Sequence, residues 1–158
     1  MIHETLLETL AGMVHGIYVL TTADGEIING MIASWVAQVS YDPPMLLVAI
    51  HPNRYSHQII EKSGSFALHL LTKEQKDLLP RFKKHDPQEK FTSLPWSRGR
   101  TGCPILKNCL GYLECVVRAK YSPGNHTLFV GEVVGAQMFS TGTPMCTVDY
   151  PGFYMGKA

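Results

Sequence analysis

Residues 28–40, Ile-Asn-Gly-Met-Ile-Ala-Ser-Trp-Val-Ala-Gln-Val-Ser, alternate in side-chain character with a period of two. That period commits a segment to an extended strand whose two faces meet different surroundings. One face carries Met31, Ala33, Trp35, Ala37 and Val39 and suits a core. The other carries Gly30, Ile32, Ser34, Val36, Gln38 and Ser40, small or polar groups with no charge among them. A solvated strand of this length would usually include Lys or Glu. Two readings stand at this point: an unusual surface strand, or a face laid against a planar, polar heterocycle. Asp42-Pro43-Pro44 ends the run. Met45–Ile50 follows as a continuous apolar stretch, the pattern of a strand covered on both faces.

The rest of the chain repeats strand signals. Residues 17–22 (IYVLTT) lead into an Ala23-Asp24-Gly25 turn and predict a hairpin. Residues 66–71 (FALHLL) return to strand after a short helix over Ser56–Ser63 with Gly64 at its C-cap. Residues 112–120 alternate, and after Ser122-Pro123-Gly124-Asn125 a partner strand starts at Thr127. Gly131 and Gly135 in that partner mark a bulge, a sharp bend or the close approach of another group. Residues 3–11 form an amphipathic helix with Leu6, Leu7 and Leu10 on one face, stopped by Gly12. Thr72 and Gln75 make a capping box for a helix that Pro80 curtails. Residues 82–108 are polar and rich in Gly and Pro, a long excursion with little regular structure. Six or seven strands with short helices between them indicate a mainly β chain, a small closed antiparallel barrel. A length of 158 residues suits one domain over 1–158.

Charge and composition remove several function classes. A formal net charge of +1 gives no electrostatic case for nucleic acid or an anionic membrane. Arg81, Lys83 and Lys84 read as a solvated helix end. No apolar run approaches the roughly 20 residues a bilayer span needs. The N-terminus mixes acids with its leucines and lacks the basic region of a signal peptide, so the cytoplasm is the expected address. Cys103, Cys109, Cys115 and Cys146 form no C-x-x-C pair, and reduced thiols are expected. Cys115 sits in an apolar alternation as core filler, and Cys103 lies in a loop where it could be exposed.

The sequence has no G-x-S-x-G elbow, no P-loop, no H-E-x-x-H and no G-x-G-x-x-G. Its histidines are dispersed, His51 and His57 being the near pair, and no metal site is expected. Without acid–base or nucleophilic machinery of its own, an enzyme of this composition would depend on a cofactor. The segment HPNRYSHQII (51–60) offers a place for one. Arg54 and Ser56 precede a helix start, where free N–H groups and the helix dipole favour an anion. The plainer reading is that Ser56 caps the helix and Arg54 is solvated. An uncharged polar face with an anion site one strand away fits a mononucleotide.

The segments GMIASWVAQVSYDPPMLLVAI, NRYSHQII, SFALHLL, TGCPILKNCLGYLECVV and PGNHTLFVGEVV, in that order, resemble the flavin reductase-like family of FMN-binding split barrels. The resemblance runs from about residue 15 to 137. It implies a Greek-key antiparallel split barrel with short flanking helices, a homodimer, and FMN bound near the subunit interface. It implies that Ala33, Ser34, Trp35, Val36, Gln38 and Ser40 line the flavin and its ribityl chain. Arg54, Tyr55 and Ser56 would hold the phosphate, and Lys90 and Phe91 would complete the pocket. His126 lies in the family's Gly-Asp-His turn, at the nicotinamide or flavin edge. Here the turn reads Gly124-Asn125-His126, with Asn for the usual acid. Tyr154 and Lys157 would reach toward the flavin from the C-terminus. The implied activity is electron transfer from NAD(P)H through FMN to free flavin, a ferric complex or a redox protein. The alternatives are a non-enzymatic flavoredoxin-type carrier and a barrel that has lost its flavin.

Overall fold

A computed structural model describes residues 2–150 and 154–157. The hairpin forms as β1 (Tyr18–Asp24) and β2 (Ile27–Ala33), with Gly25 at φ +58° in the turn. The 28–40 run is not one strand. It breaks at Ser34-Trp35, and β3 (Val36–Ser40) turns away to pair with β4 (Met45–Ile50). The chain continues through α2 (Tyr55–Ser63), β5 (Ser65–Leu70), β8 (Gly111–Tyr121) and β9 (Thr127–Met138).

These seven strands make one antiparallel sheet in the order β2-β1-β5-β8-β9-β4-β3. Its two edge strands, β2 and β3, are consecutive in the chain and separated by two residues. The three Cα–Cα steps from Ala33 to Val36 span only about 10 Å, so the sheet must curl until its edges nearly meet. The result is a split barrel, with a seam at Ser34-Trp35. Trp35 bridges the seam by accepting a hydrogen bond at its carbonyl from Ala49 N–H (3.0 Å).

Two apolar layers hold this shape. Leu20, Val48, Ile50, Ile60, Phe66, Leu68, Cys115 and Phe129 fill the barrel. Val19, Ile28, Leu71, Leu79, Phe82, Leu106 and Met145 form a second core outside it. Alternation on β1 feeds both, Leu20 inward and Val19 outward, and each such buried side chain contributes about 1.5–3 kcal/mol. A Cβ on Gly131 would lie 2.7 Å from Cys115 Cβ and 2.8 Å from the Phe66 ring, so strand and core meet there at glycine distance. Strand β4 alternates between buried and half-buried positions, Leu46, Val48 and Ile50 facing in, and is not covered on both faces.

Several expectations change. The helix α1 (Ile2–Ala11) forms, but Leu6, Leu7 and Leu10 all remain exposed. Gln75 Oε1 accepts from Thr72 N–H (2.9 Å) as a capping box requires, yet α3 begins only at Leu78 and runs to Phe82. Pro80 lies in its first turn, where a missing N–H costs no helical bond, so it does not end the helix. The 82–108 excursion is ordered: α4 (Pro87–Phe91) is followed by a ribbon of β6 (Trp96–Arg98) and β7 (Pro104–Leu106). This ribbon buries Cys103 completely, and burial raises its thiol pKa. No described helix is long and apolar enough to cross a membrane.

Candidate functional site

A cavity of about 490 Å³ opens against the seam. β2 supplies Asn29, Met31, Ile32 and Ala33, the crossing supplies Ser34 and Trp35, and the end of β4 supplies Ala49 and Ile50. The loop after β4 and the start of α2 bring His51, Asn53, Arg54, Tyr55 and Ser56, while Phe82, Lys83, Lys84, His85 and Lys90 close the other side. Phe82 can sit there because residue 30 is glycine: a Cβ would lie 2.6 Å from its ring.

One end of the cavity is polar and buried. Lys90 Nζ donates to Asn29 Oδ1 (2.9 Å) and to the Gly30 carbonyl (2.8 Å), and Asn29 Nδ2 donates to Ser56 Oγ (2.9 Å). All three side chains are more than nine-tenths buried. Burial, helped by nearby Arg54, holds the Lys90 pKa below its usual value. Arg54 itself is the N-cap residue of α2 and makes no side-chain cap bond. Ser56 is the second helical residue, not the cap. Arg54 Nη2 reaches the Lys157 carbonyl at 3.5 Å, but buried Arg54 Nε has no hydrogen-bond partner among the described residues. The described lining includes Arg54, Lys83, Lys84 and Lys90 and no carboxylate. Cationic groups, a helix N-terminus and an orphaned guanidinium N–H together ask for an anion.

The other end is aromatic. The Trp35 ring lies 4.7 Å from the His126 ring and 5.0 Å from Tyr154, centroid to centroid, and His51 meets His126 edge-on at 5.2 Å. His126 Nδ1 is 2.8 Å from Asn125 Oδ1, and its Nε2 is 2.7 Å from Tyr154 Oη. The amide oxygen accepts from Nδ1–H, so Nε2 is left to accept the tyrosine proton. The asparagine therefore keeps the orientation that an acid would impose, without its charge. Burial first, then His51 and Arg54, push the His126 pKa down and favour the neutral ring. The Arg54 guanidinium also lies over the Tyr154 ring at 5.8 Å, which ties the two ends together.

Ala33, Ser34, Trp35, Arg54, Tyr55, Ser56 and Lys90 thus share one cavity, with His126 at its aromatic rim. Val36, Gln38 and Ser40 lie outside its lining. The strand break sends them onto β3, where Gln38 is exposed and donates to the Ser40 carbonyl (3.2 Å). Phe91 is buried behind the wall, packed edge-on against Phe82 (5.7 Å) and against Trp96. His57 bonds Thr127 Oγ1 (2.7 Å) and does not meet His51. Lys83, read as a solvated helix end, lines the cavity and donates to Tyr150 Oη (2.6 Å). Asn29 escaped the sequence reading altogether. Its signal was an amide inside an otherwise apolar strand, a position that demands partners.

Residues 10–156 match the flavin reductase like domain family. The chain is 31% identical over 153 residues to the reductase subunit HsaB of a flavin-dependent monooxygenase from Mycobacterium tuberculosis, covering 97% of this chain and 81% of the relative. Among solved structures, nitrilotriacetate monooxygenase component B from Mycobacterium thermoresistibile superposes with a TM-score of 0.84 at 26% identity, covering 98% of this chain and 84% of the other. The NADH:FAD oxidoreductase SgcE6 of Streptomyces globisporus, solved with NAD and FAD fragments, gives 0.82 at 26% identity, covering 91% and 87%.

Proposed function

The chain belongs to the flavin reductase-like family, and we propose that it binds FMN in the seam cavity and reduces it with NAD(P)H. The observation that carries the reading is Arg54 Nε, buried without a partner among the described residues beside the N-terminus of α2. A phosphate fits that donor set: Arg54, the Ser56 hydroxyl and the first α2 amides would hold it. A cavity of about 490 Å³ lies within the ordinary range for such ligands. Ala33, Ser34 and Trp35 would line the ring. A bound flavin would supply the redox chemistry, hydride acceptance and onward electron transfer. The protein's residues bind, orient and exclude water. His126, kept neutral, holds its Nε2 lone pair toward the Tyr154 proton and would meet the nicotinamide side uncharged.

The electron acceptor we favour is an oxygenase component receiving reduced flavin, as the names of HsaB and of nitrilotriacetate monooxygenase component B suggest. A homodimer in the cytoplasm is part of the proposal, and Val39 and Tyr41, exposed apolar residues on and beside β3, support the self-association. An absorption spectrum of the purified protein with FMN, then with NADH or NADPH under anaerobic conditions, tests the function. Bleaching of the flavin band is expected. Protein that binds neither FMN nor FAD, or flavin that stays oxidised with both donors, overturns the proposal.

A further inference from the structure

The chain Lys90–Asn29–Ser56 has a direction that chemistry fixes. The Gly30 carbonyl can only accept, so Lys90 Nζ spends one N–H there (2.8 Å). The Asn29 atom facing Nζ at 2.9 Å is the oxygen, because its amide nitrogen has no lone pair to offer. The remaining Asn29 atom is therefore Nδ2, a pure donor, and Ser56 Oγ at 2.9 Å must accept from it. A hydroxyl that accepts keeps its own proton to donate. Among the described residues that proton has no acceptor, and Ser56 lines the cavity.

We infer that Lys90 and Asn29 are positioning residues that hold the Ser56 O–H as a donor pointed into the cavity, ready for the ligand's phosphate. Resting on the reading of this cavity as a flavin site, the inference assigns Lys90 an indirect role. Its Nζ is engaged by Asn29 and Gly30, and beside the positive charge it adds to the lining it acts on the ligand through the Asn29 amide and the Ser56 hydroxyl. Burial supports this: Asn29 is 3% exposed, so water does not stand in for its amide between Lys90 and Ser56. A rotating, uncommitted hydroxyl would pay part of its binding energy to become oriented. This one is oriented before the ligand arrives.

The test compares FMN with riboflavin, which lacks the phosphate, by fluorescence titration of the full chain. Asn29→Leu should lower FMN affinity severalfold and leave riboflavin affinity unchanged, although Lys90 remains in place. In a Ser56→Ala background the same substitution should have little further effect, since the hydroxyl it positions is gone. Lys90→Met, read in the same two backgrounds, carries the comparison if Asn29→Leu does not melt cooperatively. An unchanged FMN-to-riboflavin ratio in both single variants, or full additivity with Ser56→Ala, would show that no such relay operates. If the native chain binds FMN no more tightly than riboflavin, the placement of phosphate at this end is itself wrong. That outcome is visible before any variant is made.

Discussion

The two ends of the cavity are built on different plans. The polar end is assembled from neighbours in space that belong to rigid elements: Asn29 on β2, Ser56 on α2 and Lys90 on α4, joined by buried hydrogen bonds. The aromatic end depends on the chain's last described residues, where Tyr154 rests on Trp35 and His126 by ring contacts and one hydrogen bond. A prepaid, buried donor set favours tight and selective holding of one anion. A segment joined by few contacts opens at lower cost than a core strand. The polar end should thus govern affinity, and the aromatic end should govern access and turnover.

The largest expected effect sets the pH window in which that contrast can be read. His69 is fully buried, with Nδ1 against the Val19 carbonyl (3.1 Å) and Nε2 accepting from Leu106 N–H (3.0 Å). Burial lowers its pKa to about 4. The unfolded chain, near 6.5, takes up the proton first, so this stabilisation is complete above that pH and is lost as pH falls toward 4. Denaturant titrations should lose about 3 kcal/mol over that interval, and His69→Gln should flatten the dependence. A stability profile unchanged by the substitution would remove His69 as its source.

Within that window, Arg54→Ala should weaken FMN about 10- to 150-fold, the worth of a charge-assisted contact, while riboflavin binding is unaltered. Turnover at saturating FMN should barely move. An equal loss in turnover would dissolve the division between the ends. Ser34→Val sits between them. It should weaken FMN and riboflavin alike, by about fivefold, if its hydroxyl meets the ring. Selective loss of FMN would move Ser34 to the phosphate end. Tyr154→Phe should be smallest: about a twofold change in NADH-driven turnover, with FMN affinity constant. A change in affinity as large as that of Arg54→Ala would place the tail in the phosphate site.

Much of the barrel is readable from residue order, because hairpins are local. Tyr18–Asp24 and Ile27–Ala33 announce themselves by β-branched residues around Asp24-Gly25, and Gly64 announces the end of α2 with a left-handed φ of +69°. The break at Ser34-Trp35 is not local. Alternation continues unbroken through it, and only the choice of partners, β1 on one side and β4 on the other, separates the halves. Val36, Gln38 and Ser40, which the family resemblance places along the flavin, sit on β3 outside the described lining for that reason. The order of the 82–108 segment is hidden from the sequence for a related cause. Its burial comes from packing Phe91, Cys103 and Ile105 against distant strands, and polarity averaged along the chain conceals this. Arg54 and Ser56 were legible because a helix start advertises its own chemistry. Asn29 was not, since its partners lie 27 and 61 positions away.

The seam has a thermodynamic consequence. Ser34 and Trp35 belong to neither sheet edge, yet they are the link through which both edges close, and they also line the cavity. Whatever fills that space touches β2, the link and the end of β4 at once. Ligand binding and barrel closure are then linked equilibria. An occupant at 100 times its dissociation constant would add about 2.7 kcal/mol to the closed state by mass action. Cofactor supply would in that way regulate how long the folded protein persists as well as how fast it works.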